Sequence, residues 1–289
     1  MENEFITLDS GLKIHYKEFG CRPGAISDPE GKGPTLLLIH GWNNDWSGFM
    51  PLIEHLEDKF HVVAVDLPGY GKSEALKEDY SVEKLSDILS EFINKKGGGN
   101  IDVLCALSMG TVIAADLSNR HSKMIKSVVL IGPPIIKYDW LPSKMFREWM
   151  KVMNKSSILM STGHKILASN WYGHFTAKNI NMYKYDRELV NKHGMKGRKK
   201  INSRALFQMG KAMYHFHLEK TLKEIKIPML IILGRHDKIV DLKTAIKVGH
   251  DRENVITEWV EEAGHVVSLE KPIQTSNLLK EFASNLKII

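Results

Sequence analysis

The 289-residue sequence predicts an α/β protein, a mainly parallel central sheet flanked by helices, with one long helical insertion. Three observations predict it. Short β-branched and aliphatic runs alternate with amphipathic stretches, which is the order of successive strand–helix units. Those runs are apolar on both faces, as strands buried between two helical layers must be. Charge also divides the chain: residues 134–220 hold 17 Lys or Arg against 5 Asp or Glu, although the whole chain is only +6, so the remainder is net acidic. Eight of the 13 Met lie in the same basic stretch. This marks it as an adaptable segment set into an acidic framework.

Taken in order, Phe5 to Leu8 and Leu12 to Phe19 read as a hairpin across Asp9-Ser10-Gly11. A polar Gly/Pro-rich loop at 20–34 follows. The runs Thr35 to Ile39, His61 to Val65, Ile101 to Leu107, Ser127 to Ile131, Met229 to Leu233 and Val255 to Val260 have the length of buried strands. Helical patterning covers 48–58, 81–95, 109–120, 241–249 and 272–286. Ser81 is a weak cap for its helix, Asp241 a cap for the one that follows it, and Pro272 occupies the favoured first helical position. Pro133-Pro134 closes one strand and Ile227-Pro228 marks the return to the sheet. The expected division is therefore a core of 1–133 with 226–289, and a helical lid at 134–225.

With 43% hydrophobic and 26% charged residues, the composition is that of a globular protein. No apolar run approaches the roughly 20 residues that span a bilayer, so no membrane span is expected. The start Met1-Glu2-Asn3-Glu4-Phe5 shows neither a basic nor an apolar leader region, which makes the cytoplasm the expected location. Of the two cysteines, Cys21 and Cys105, the second falls inside a strand and reads as a small buried hydrophobe; no disulfide is expected. The pI of about 9.0 raises nucleic-acid binding, but no recognition motif accompanies it and the Lys196 to Lys200 cluster is short. His215-Phe216-His217 lacks metal-ligand spacing and reads as two imidazoles diverging from one helix, so neither metal nor cofactor is implied.

The chemistry concentrates at Ser108. Ile101 to Ala114 reads as strand, tight turn and helix with Ser108 at the apex, the context a nucleophile elbow requires. The turn lifts the hydroxyl above the sheet at a helix N-terminus, where backbone N–H groups can meet a developing oxyanion. Ala106 and Gly110 are the small residues that let strand and helix approach; Ala106 replaces the glycine usual at the first of these positions. His40-Gly41-Trp42 ends a buried strand in a glycine turn, which can set the Trp42 N–H opposite that of Met109 as a two-donor oxyanion hole. His40 itself reads as a turn-stabilising side chain. Asp237 lies just past a later strand, and His265 follows the last one.

Chain order Ser108, Asp237, His265, with Asp66-Leu-Pro-Gly69-Tyr-Gly71-Lys-Ser73 as a structural turn, resembles the α/β-hydrolase superfamily, near its lid-bearing esterase and carbon–carbon hydrolase branches. The resemblance spans about residues 5–285 and is weakest over 134–225. It implies a triad in which Ser108 attacks, His265 is the base and Asp237 orients it, acting on a small-molecule ester. Haloalkane dehalogenase or epoxide hydrolase chemistry would need Asp at the elbow. Carbon–carbon hydrolysis of an acidic diketo substrate is the alternative, since a basic lid would suit an acidic ligand. A non-catalytic receptor on the same fold is a third, although its usual sign, a missing triad member, is absent.

Overall fold

The computed structural model describes residues 4–20, 33–136, 141–250 and 252–289; Met1 to Asn3, Cys21 and most of the polar 20–34 loop lie outside the described residues. The hairpin forms from β1 (Glu4–Thr7) and β2 (Lys13–Phe19), with Gly11 in the left-handed region. The other strands are β3 (Thr35–Ile39), β4 (His61–Val65), β5 (Ile101–Leu107), β6 (Ile125–Ile131), β7 (Met229–Gly234) and β8 (Val255–Val260). All eight pair into one sheet in the order β1-β2-β4-β3-β5-β6-β7-β8. β3 to β8 run parallel, while β2 joins β4 antiparallel.

Because side chains alternate along a strand, the apolar runs feed two cores. Leu37, Ile39, Val63, Val65, Leu104 and Ala106 enter one face. Leu36, Leu38, Val62, Ala64, Val103 and Cys105 enter the other. The helices are α1 (Met50–Ile53), α2 (Val82–Gly97), α3 (Met109–Arg120), α4 (Leu141–Met153), α5 (Ser157–Leu167), α6 (Asn170–Thr176), α7 (Arg187–Leu189), α8 (Ser203–His215), α9 (Leu218–Glu224), α10 (Leu242–Gly249), α11 (Val267–Glu270) and α12 (Pro272–Asn285). α2 and α3 cover the first face, and α1 and α12 the second. Cys105 is a free thiol in the second core, where burial pushes its pKa far up.

Most elements fall where the pattern puts them, with Ser81 Oγ accepting from Lys84 N–H at 3.1 Å and Pro272 opening α12. Four details differ. The amphipathic stretch at 48–58 is a 3₁₀ turn at Trp46–Phe49, the short α1 and then further turns; Gly48 favours non-helical backbone and Pro51 supplies no N–H. β6 starts at Ile125, because Lys126 points outward to Asp102 while Ile125 is buried. Asp241 precedes α10, but its carboxylate takes the Thr244 hydroxyl and caps no backbone N–H. His215 and His217 do not share a helix: Phe216 adopts an extended conformation, so His215 ends α8 and His217 precedes α9.

The chain between β6 and β7 is helical from α4 to α9. It is not uniformly peripheral. Ala205, Leu206, Phe207 and Met209 of α8 are fully buried in the same core as α2 and α3. α5 and α6 instead expose Ile158, Ile166, Trp171 and Phe175, the last two stacked at 5.5 Å. Among the described residues, no helix is long and apolar enough to cross a membrane.

Candidate active site

Ser108 sits between β5 and α3 with φ 50° and ψ −117°. A non-glycine residue in this conformation is strained and persists only where its surroundings over-determine it. Here they do. Ser108 N–H donates to Ile131 O at 2.9 Å, and Ser108 O accepts from Thr111 N–H at 2.8 Å and from the Thr111 hydroxyl at 2.6 Å. A Cβ on Gly110 would lie 2.4 Å from Ile39 O and 2.7 Å from His40 O, so only glycine lets α3 approach β3 this closely. Ala106 is fully buried, its methyl part of the core.

His265 Nε2 lies 2.8 Å from Ser108 Oγ, and His265 Nδ1 lies 2.8 Å from Asp237 Oδ2. Asp237 Oδ1 accepts from Ile239 N–H at 2.7 Å and Val240 N–H at 3.1 Å. Burial opposes the charged carboxylate, but the His265 imidazole and these backbone donors outweigh it, holding the Asp237 pKa below its ordinary 3.8. An ionised Oδ2 can only accept, so His265 carries its proton on Nδ1 and turns the Nε2 lone pair toward the Ser108 hydroxyl. The Asp241 carboxylate instead lies at the start of α10, where its Oδ2 accepts the Thr244 hydroxyl at 2.9 Å.

Gly41 runs directly against the serine, and a Cβ there would be 3.4 Å from Ser108 Cβ. The neighbouring Trp42 N–H and the Met109 N–H, first in α3, donate to no acceptor among the described residues. His40 is a buried brace. It sits 2.9 Å from Gly41 O through Nδ1 and accepts Leu67 N–H on Nε2 at 3.1 Å, a pattern that fixes the neutral ring, and burial holds its pKa below 6.5. Asp66 is likewise structural: its carboxylate takes His15 Nδ1, Trp46 N–H and Lys72 N–H, and any Cβ on Gly71 would strike it.

Two participants had no sequence signal. Glu270 ties the His265 loop to the insertion, Oε1 accepting Gly264 N–H at 2.8 Å and Oε2 accepting Tyr183 N–H at 2.7 Å, while burial raises its pKa over the effect of those donors. His265 N–H itself donates to Asn181 O at 2.7 Å. Arg198, one of five residues in the basic run 196–200, is buried, whereas Lys196, Lys199 and Lys200 are exposed. Ser108, His265 and Arg198 line one cavity of about 850 Å³, walled largely by apolar groups such as Phe146, Tyr172, Met182, Met213 and Leu269. The described residues contain no cluster of metal-ligating side chains.

The family described as alpha/beta hydrolase fold matches residues 34–272. The chain belongs to that family. Within it, the chain is 25% identical over 272 residues to a pimeloyl-[acyl-carrier protein] methyl ester esterase of Methylococcus capsulatus, covering 91% of this chain and 99% of that protein. It is 23% identical to a monoacylglycerol lipase of Homo sapiens, covering 94% and 82%. A thermophilic esterase from Thermogutta terrifontis has the same fold, with TM-score 0.73, 19% identity and 99% of both chains covered. So has an enol-lactonase from Burkholderia xenovorans, with TM-score 0.72, 20% identity and coverage of 97% and 100%. The family and the hydrolase relatives make the protein an α/β-hydrolase enzyme, with ester hydrolysis the shared chemistry of the named esterases.

Proposed function

We propose that the protein is a serine hydrolase cleaving carboxylic esters of small or medium-sized substrates through an acyl-enzyme. The observation that supports this most is the unbroken relay Asp237–His265–Ser108, with both contacts at 2.8 Å and the serine opening into the 850 Å³ cavity. In this reading His265 Nε2 takes the Ser108 proton as Oγ attacks the ester carbonyl, and Asp237 stabilises the imidazolium. The Trp42 and Met109 N–H groups then hold the oxyanion, which suits their lack of another acceptor among the described residues. His265 returns the proton to the leaving alcohol, and water repeats the cycle to release the acid. The segment 134–225 acts as the lid, since it supplies Phe146, Tyr172, Met182 and Met213 to the cavity wall.

The test is turnover of p-nitrophenyl esters of graded acyl length by the parent and Ser108→Ala, with a vinylogous diketo acid alongside. The variant should fold and lose roughly 10⁴- to 10⁶-fold in kcat. Ester turnover by the variant within tenfold of the parent would sink the assignment, and cleavage of the diketo acid in preference to every ester would move it to carbon–carbon hydrolysis.

A further inference from the structure

Among the described Lys and Arg of the segment 141–225, Arg198 alone is buried, so solvation does not explain its setting. It is 9% exposed. Its Nε donates to Gly194 O at 2.9 Å, its Nη1 is buried with no partner, and no carboxylate among the described residues forms an ion pair with it. Burying a guanidinium without a counter-charge is expensive, and buried charges are as a rule paired. Asp45, packed against Gly197, gives Oδ1 to the Ser47 N–H and hydroxyl and forms no ion pair with Arg198. The one titratable group that favours its charge is the Tyr172 phenol, which is neutral near neutral pH. Burial accordingly pulls even its pKa downward.

The cavity supplies the missing half of the argument. Arg198 lines the same space as Ser108 and His265, together with Lys238, whose ammonium donates to Asn179 O; no described residue lining that space is acidic. The reacting serine therefore faces a mostly apolar cavity to which the described residues contribute a buried guanidinium, an exposed ammonium and no carboxylate. We propose that Arg198 binds a carboxylate carried by the substrate, so that the preferred substrate is an ester bearing a free carboxylate, such as a half-ester of a dicarboxylic acid. A guanidinium presents a planar fork that matches two carboxylate oxygens. A singly charged carboxylate also matches the single buried guanidinium in charge, which a phosphate dianion would exceed. The proposal rests on the reading of Ser108 as an ester-cleaving nucleophile and adds the class of ester.

The experiment compares monomethyl esters of C4 to C10 dicarboxylic acids with methyl esters of monocarboxylic acids of equal length, in the parent, Arg198→Gln and Gly173→Ala. A Cβ at Gly173 would meet the Met195 side chain at 2.3 Å and Nη1 at 2.9 Å, so it crowds the guanidinium while leaving its charge. The readout is the ratio of the two kcat/KM values in each protein, so a general loss of activity cancels. The parent should prefer the half-ester by roughly 10- to 100-fold at one chain length, the worth of a charge-assisted hydrogen bond. The preference should persist at about 0.5 M salt, because a desolvated contact is screened far less than a surface field. It should fall toward one in Arg198→Gln and drop partway in Gly173→Ala. Binding of the matched half-ester to Ser108→Ala and to Ser108→Ala/Arg198→Gln by calorimetry reads the same contact without chemistry. A parent ratio of one or less, or an unchanged ratio in Arg198→Gln, overturns the carboxylate site. Absence of turnover on every ester, with Arg198-dependent half-ester binding intact, would overturn the ester reading instead.

Discussion

Replacing Asp237 by Asn tests the relay where the structure leaves the amide no good orientation. If the amide oxygen stays on Ile239 and Val240 N–H, its NH₂ group faces His265 Nδ1. The ring must then accept there and carry its proton on Nε2, which points at Ser108 and can no longer take the serine proton. That tautomer costs about 10⁴ in kcat, or ~5.5 kcal/mol at 1.36 kcal/mol per decade. If the amide flips, the tautomer survives but two backbone N–H donors face an NH₂ group. Each buried donor left unpaired costs about 1–3 kcal/mol, so the flip saves little. Initial rates on a p-nitrophenyl ester near neutral pH, with circular dichroism to show an intact fold, should therefore fall by three to four orders of magnitude. Asp241→Asn should lose almost nothing. A folded Asp237→Asn within tenfold of the parent would mean that another group orients the imidazole.

Three further outcomes are expected. Gly110→Ala should cost the fold, seen as a large drop in Tm or loss of soluble protein, because its methyl meets backbone oxygens at 2.4 and 2.7 Å; Gly41→Ala should stay folded, its closest backbone contact being 3.3 Å. A folded, heat-stable Gly110→Ala would contradict the close packing of α3 on β3. His40 is held neutral, with a native pKa below its unfolded 6.5, so the unfolded chain binds more protons below that pH. Stability contributed by neutral His40 is thus fully present above about pH 6.5 and is lost as pH falls through the native value. Urea unfolding from pH 8 to 5 should show a shallower pH slope in His40→Asn than in the parent, and equal slopes would refute the burial argument. Glu270→Ala frees the Gly264 and Tyr183 N–H groups and lets the His265 loop shift, so kcat should drop roughly 10- to 100-fold, as small misplacements of catalytic groups do, with Glu270→Gln intermediate; steady-state kinetics with unchanged kcat would leave Glu270 a bystander.

The sheet was legible in the sequence because a strand buried on both faces has almost no freedom of composition. Leu36 to Ile39 and His61 to Val65 announce themselves by length and branching alone. The strand–turn–helix around Ser108 was legible for a related reason, since Gly110 can be nothing larger where α3 packs on β3. Ala106 shows the tolerance of that reasoning: the expected glycine gives way to a methyl that the core absorbs. The short helix after Trp46 was misjudged because apolar residues at 49, 52, 53 and 56 serve a chain of turns as well as a helix. Arg198 and Glu270 were invisible for a deeper reason. Nothing local separates Arg198 from Lys199 or Lys200; burial is decided by Tyr172 and Gly173, some 25 residues earlier in the chain.

The bond from His265 N–H to Asn181 O has a consequence for how this enzyme can be re-engineered. Insertions in such folds invite exchange, as if they were interchangeable covers that set the taste of a fixed machine. Here the insertion also braces the proposed relay: Asn181 holds the imidazole's own backbone, Tyr183 shares Glu270 with Gly264, and the Tyr183 ring stacks on His236 at 4.0 Å, one residue before Asp237. A graft that replaces the stretch around 177–185 trades the alignment of the relay along with the pocket lining. A graft confined to α4 and α5 leaves those mounting points in place, and that is where a transplanted specificity can be accepted without re-aiming the histidine.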